Sequence, residues 1–153
     1  MKASSASVKR APSSAARSTE RPAQPFTGLR FAIGIEGLQS TRAVEVVLPA
    51  ARIVEVPRRR RDVLIEPLLL RRGLTDATDW YEWWNNARRL ARAPRRLVSV
   101  TVMRLDGSEG VRWLFRDAVP VGYALSPLNA LVGATVIESL ELRVGDFELV
   151  RRE

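Results

Sequence analysis

Short runs of alternating apolar and polar residues follow one another from Leu29 to Val150, and this period-two pattern constrains the fold more than any other feature. Leu29, Phe31, Ile33 and Ile35 are interleaved with Arg30, Ala32, Gly34 and Glu36. Successive strand side chains point to opposite faces, so such a run is a half-buried strand. Gly37 ends it. Val44, Val46 and Leu48 carry the same period to Pro49, and Arg52 to Val56 is a further short strand closed by Pro57. Val63 to Arg71 reads as one strand in which Pro67 marks an edge position or a bulge. Later strands are expected over Leu97 to Leu105, around Val111, Trp113 and Phe115, over Thr135 to Val144, and from Phe147 to Val150. Asp106-Gly107 is the hairpin turn between the first two of these. Pro120, Gly122 and Pro127 punctuate a looser segment, and Val136, Leu140, Leu142 and Val144 share one face of the Thr135 strand.

One helix interrupts the strands. Thr75 or Asp76 is placed to cap it, and Asp79 in its first turn suits the positive end of the helix dipole. Trp80, Trp83, Trp84, Ala87 and Ala91 fall at i, i+3, i+4, i+7 and i+11, which lines them up on one face. Arg88, Arg89 and Arg92 lie towards the negative end, and Pro94 stops the helix. Strands and helix together give an α+β, mainly β domain over residues 26–153, a small β-barrel or sandwich of about eight strands with one flanking helix. Its core is expected to hold Trp80, Trp83, Trp84, Trp113 and Phe115. Tyr81, Glu82, Asn85 and Arg88 then form the outward helix face, open to a partner. Residues 1–25, rich in Ser, Ala, Pro and Arg, have too little apolar surface to offset their ordering entropy and read as a disordered basic arm.

The residue inventory removes much chemistry. The 153 residues include no cysteine and no histidine, which rules out thiolate nucleophiles, disulfides and imidazole as base or metal ligand. Gly34-Ile35-Glu36-Gly37 lacks the further glycine and the lysine of a phosphate loop. Asp76 with Asp79 reads as helix capping rather than a metal pair, and Asp106 with Glu109 as a solvated hairpin tip. No enzyme activity and no cofactor are expected.

A formal net charge of +8 raises a second reading, a nucleic-acid-binding module that uses its arginine clusters at Arg58, Arg59, Arg60 and Arg61 and at Arg88 to Arg96. Half of the excess lies in residues 1–25, however, and a run of arginines is most often a solvated loop. Nucleic acid is therefore not the expected partner. The longest apolar run, Pro67-Leu68-Leu69-Leu70, falls far short of the ~20 residues of a membrane span, and the basic N-terminus lacks a signal's apolar stretch. Cytoplasmic synthesis and assembly are the simplest expectation.

Leu70-Arg71-Arg72-Gly73-Leu74-Thr75-Asp76, followed by Trp80 and Trp83-Trp84-Asn85, resembles the "RG-x-T, then WW" signature of phage tail-tube proteins from contractile tails and contractile injection systems. Further pieces occur in that family's order: Arg95-Arg96 before a strand, the Asp106-Gly107 hairpin, and Arg112-Trp113-x-Phe115. Asp117-Ala118-Val119-Pro120 resembles its "NAWP", and Pro127-Leu128-Asn129-Ala130 with Ile137 to Leu142 resembles its "LNA, then IE-x-LEL" ending. The resemblance spans roughly residues 29–149 and implies the barrel with one flanking helix that type VI secretion tube proteins share. It also implies a structural subunit without catalytic activity or cofactor, forming a six-fold ring with itself or a paralogous tube protein. Such rings stack inside a contractile sheath on a baseplate, in a phage-tail-like particle assembled in the cytoplasm. Asp117 and Val119 stand where the family usually has Asn and Trp, and the arginine loop at 58–61 replaces a longer glycine-containing loop that helps stack rings. The resemblance thus implies either a ring of the inner tube or one at the tube–baseplate junction, with Arg58–Arg61 as the inter-ring or partner contact.

Overall fold

The computed structural model describes residues 24–151 apart from Leu29, Arg59, Ala91 and Arg92. The expected arm over 1–25 therefore falls almost wholly outside the described residues. Ten elements are arranged in chain order: β1 (Phe31–Ile35), β2 (Glu45–Val47), β3 (Ala51–Val54), β4 (Asp62–Ile65), β5 (Leu68–Gly73), α1 (Asp79–Arg89), β6 (Arg96–Met103), β7 (Glu109–Leu125), β8 (Ile137–Arg143) and β9 (Asp146–Arg151).

Seven strands form one antiparallel sheet in the order β1-β6-β7-β8-β5-β2, with β9 also paired to β7. β7 organises it. Its 17 residues run through Pro120, where the sequence suggested a looser segment, and it changes neighbours along its length. β9 pairs with Val111 to Arg116 and β8 with Val119 to Leu125, so β8 and β9 lie end to end along one side of β7 while β6 lines the other. The change falls at Asp117, a non-glycine residue at φ 55°, beside a register shift between Arg96 and Val98 of β6. A bulge of this kind bends the strand and re-aims the residues beyond it. A second shift between Pro120 and Gly122 absorbs the proline, which has no N–H to give the ladder.

Three expectations need correction. The sheet does not close into a barrel: β1 and β2 lie at its two ends without pairing, and among the described residues an isolated bridge from Ile33 of β1 to Thr41, ahead of β2, is the only contact of this kind on that edge. The described residues hold nine strands because Val63 to Arg71 is not one strand. Glu66 and Pro67 divide it into β4, which pairs only with β3, and β5, which enters the main sheet between β8 and β2. Finally, neither Thr75 nor Asp76 caps α1. Thr78 holds the cap position without a side-chain cap bond, and the Thr75 hydroxyl instead accepts the Ala77 N–H at 3.2 Å, forming a turn one step earlier. Asp79 is left to meet the free N–H groups of the first turn, accepting from the Trp80 amide at 3.0 Å.

The core tracks the period-two faces. Leu68 and Leu70 of β5 meet Leu142 and Leu140 of β8 across the ladder, and Val98 meets Phe115 between β6 and β7; all six are buried. α1 lays Trp80 and Trp83 onto this surface, both buried. Trp83 also donates its indole N–H to the Pro94 carbonyl at 3.1 Å, which ties the helix to the segment leading into β6. Trp84 and Trp113 are partly buried and pack against the cluster from its margins. At the tip between β6 and β7, Gly107 has φ 86° and the Asp106 carboxylate accepts from the Ser108 hydroxyl at 2.6 Å and amide at 2.8 Å. These bonds hold the Asp106 pKa below the ordinary aspartate value.

Candidate functional site

Two inward-facing register positions carry charge. In β5, Leu68, Leu70 and Arg72 alternate on the buried face; in β8, Glu138, Leu140 and Leu142 do. The antiparallel register sets Arg72 opposite Glu138, and the guanidinium Nε–H donates to Glu138 Oε1 at 2.8 Å. The rest of the guanidinium gathers two further segments. It donates to Asp79 Oδ1 at 2.6 Å and the Ala77 carbonyl at 3.5 Å, both at the start of α1, and to the Thr41 hydroxyl at 3.4 Å. Its central carbon, Cζ, lies over the Trp80 ring, 4.1 Å from the ring centre. Glu138 is completed by Tyr123, whose hydroxyl donates to Oε2 at 2.7 Å. Burial and the Glu138 carboxylate push the Tyr123 pKa well above the ordinary phenol value. The cluster locks helix, sheet and the Thr41 segment together. Arg72, Glu138, Asp79 and Tyr123 satisfy one another, and only the buried Trp80 indole N–H is left without a partner within the cluster; it is a structural device. Among the described residues no three acidic groups gather in a way that holds a metal ion.

The features that face outward are of a different kind. β3 and β4 form a separate two-stranded hairpin outside the main sheet. It carries Ile53, Val63 and Leu64 exposed, and at its tip Arg58, Arg60 and Arg61 project into solvent. Arg58 turns the chain at φ 67°, and Arg59 lies outside the described residues. A lone hairpin is marginal in water, so one that displays apolar side chains is suited to a surface that covers it.

The helix face is partly engaged within the molecule. Tyr81 and Glu82 are exposed, but Tyr81 meets Tyr123 edge-on at 5.6 Å between ring centres, and Glu82 accepts from the Thr78 hydroxyl at 3.1 Å. Half-buried Asn85 accepts from exposed Arg88 at 2.9 Å. Of the arginines between 88 and 96, Arg96 is engaged within the molecule: it donates to the Glu36 carbonyl at 2.7 Å and its guanidinium lies over the Trp83 ring, while Arg58, Arg60 and Arg61 belong to a separate hairpin. Sequence reasoning missed the Arg72–Glu138 pair. A signal for it existed, since each of these charges occupies an inward step of a strand whose other inward residues are leucines.

Residues 31–148 match the family described as T4-like virus tail tube protein gp19. No curated protein matches the sequence. Among solved structures, the chain is similar to one from the sheath–tube complex of an extracellular contractile injection system, PVC, in its extended state. The TM-score is 0.67 at 14% identity, covering 84% of this chain and 93% of that one. It is similar to a chain of the anti-feeding prophage baseplate, with TM-score 0.59, 18% identity and coverage of 84% and 97%. It is also similar to Hcp1 from Flavobacterium johnsoniae, with TM-score 0.59, 15% identity and coverage of 78% and 93%. At these identities the likeness is one of fold. No helix among the described residues is long and apolar enough to cross a membrane.

Proposed function

We propose that this chain, which belongs to the T4-like virus tail tube protein gp19 family, is a structural subunit that closes into a six-fold ring of a tail-like tube. It meets the next ring or the baseplate through the β3–β4 hairpin. The observation that carries the contact is the hairpin itself: separate from the main sheet, apolar along its sides and arginine-rich at its tip. Strand edges supply the ring contact. β1 and β2 end the sheet, and apart from the single Ile33–Thr41 bridge each leaves one edge unpaired by another strand among the described residues; such edges are templates for a neighbouring chain. A head-to-tail ring uses two different surfaces of each subunit and closes when the rotation permits.

The guanidinium groups at the tip suit carboxylates on the partner, since Arg binds them in bidentate fashion. Sheath and baseplate proteins are the further partners of this reading, and the particle is phage-tail-like. The test is charge reversal of Arg58, Arg60 and Arg61 to Glu in the full-length protein, followed by electron microscopy alone and with tube and baseplate partners. Folded subunits that no longer stack or bind are expected. Stacking and binding equal to wild type overturn the hairpin's role.

A further inference from the structure

The loop from Pro127 to Val136 carries no charged residue, in a chain whose residues are 27% charged. It is nonetheless on the surface: Leu131 is 97% exposed, Leu128 82% and Val132 69%. The loop is held in shape. Val132 and Gly133 donate their amides to the Asn129 carbonyl at 3.3 and 3.2 Å, Leu131 donates to the Asn129 side chain at 3.0 Å, and Gly133 turns at φ 61°. A turn fixed in this way presents its leucines as a preorganised apolar knob. Single exposed apolar residues are ordinary, but a contiguous, rigid group of them marks a contact surface.

The same hairpin of β7 and β8 carries a hollow at its other end. Ala87, Leu90 and Ala93, in and after α1, together with Val119, Pro120 and Val121 of β7, line a groove of about 730 Å³, with Arg95 and Arg143 at its rim. The knob comes after Leu125, opposite Glu138, and the groove lies at Val119, opposite Arg143. Six strand residues separate these positions, roughly 20 Å at the rise of a strand. A knob and a groove at opposite ends of one element cannot meet within a subunit. Repeated from copy to copy, they make the head-to-tail contact that a ring or a stack requires.

We infer that the Leu128–Leu131–Val132 knob of one subunit seats in the Leu90–Val121 groove of a second copy of this chain. This rests on the self-assembling subunit proposed above and names a surface for it. Charge is compatible with this seat, since the knob brings no cation towards Arg95 and Arg143. The knob alone covers only part of the roughly 800 Å² per partner of a stable interface. Leu125, Val44 and Ile137 line a second hollow beside it, together with the Arg71–Glu45 ion pair, and carry a mixed apolar and charged surface towards β2, where a strand-edge contact continues it.

The chain has no cysteine, so introduced thiols report this contact alone. Full-length Leu131→Cys and Val121→Cys proteins are mixed under assembly conditions and treated with a short bismaleimide, and the products are separated on a denaturing gel. The mixture is expected to give a cross-linked dimer at least tenfold above either variant alone, and the doubly substituted chain a ladder. Leu131→Asp, at a position that touches no core, is expected to stay folded by circular dichroism and to lose its rings. Absence of the mixed dimer in a sample that shows rings or tubes by electron microscopy overturns the knob and groove while leaving the ring subunit standing, and so do rings of normal number from Leu131→Asp. Wild-type protein that stays monomeric in every mixture overturns both.

Discussion

Arg72 and Glu138 stand opposite each other on adjacent strands, 66 residues apart in sequence, and join at 2.8 Å with side-chain exposures of 3% and 2%. A pair this deep contributes less through its own attraction than through the consequence of losing one half. Removing one partner leaves a buried charge uncompensated, at a cost of about 3–5 kcal/mol. Arg72→Ala and Glu138→Ala are therefore each expected to lose that much in chemical denaturation. The doubly substituted Arg72→Met/Glu138→Leu protein, with matched apolar volume, is expected to recover most of it, although Asp79 then loses its guanidinium as well. Equal losses in single and double variants contradict the coupling.

Tyr123 gives the same cluster a pH signature. In the unfolded chain its phenol ionises near the ordinary value of about 10. In the folded protein the burial of the phenol and the Glu138 carboxylate hold the proton on, so the folded value is raised. The stability this contributes is complete below the unfolded value and is lost as the pH rises beyond it, because the unfolded chain then binds fewer protons than the native one. Unfolding free energy measured between pH 9 and 11 is expected to fall more steeply for wild type than for Tyr123→Phe. Parallel curves contradict it.

The bend in β7 makes a third prediction. Asp117 at φ 55° occupies a region that Asp, Asn and Gly tolerate and β-branched residues do not. Asp117→Asn and Asp117→Gly are expected within about 0.5 kcal/mol of wild type, and Asp117→Val is expected to lose about 1–2 kcal/mol in the same denaturation assay. A harmless Asp117→Val shows that the bulge relaxes. The same geometry gives a local reason why Asp can stand where the resemblance leads one to expect Asn.

How much of this was legible in the sequence varies with the range of the interaction. β1, β6, β8 and α1 were readable because their signals are local: Ile33 and Ile35, or Trp80 and Trp83, declare a face within a few residues. Legibility failed where a distant partner decides. Pro67 reads as a defect in one strand, and only the pairing of β4 with β3 and of β5 with β8 shows that it divides two. Pro120 reads as a break, yet β8 holds β7 in the ladder through it. The cap expected from Thr75 or Asp76 moved to Thr78 because Asp79 is held by Arg72, seven residues earlier and in another element. The closed barrel failed at its ends, where no local pattern states which strands meet. The surfaces the sequence offered to a partner were the Arg58–Arg61 run and the Tyr81, Glu82, Asn85 and Arg88 helix face; the charge-free Pro127–Val136 loop becomes informative only once its leucines are seen to be uncovered.

The hairpin tip should be separable from stability. Arg58, Arg60 and Arg61 are exposed and outside the main sheet, so reversing them to Glu is expected to change the unfolding free energy by no more than about 0.5 kcal/mol while abolishing stacking or baseplate binding. Comparing denaturation with assembly in one preparation checks this. A matching loss of stability shows that the tip belongs to the fold.

The central claim is that this chain is a ring-forming structural subunit, and electron microscopy of the purified full-length protein tests it most directly, alone and then with its tube, sheath and baseplate partners. Six-fold rings or stacked tubes are the predicted result, either from the protein alone or on addition of a partner ring. Dispersed monomers in every mixture contradict the account.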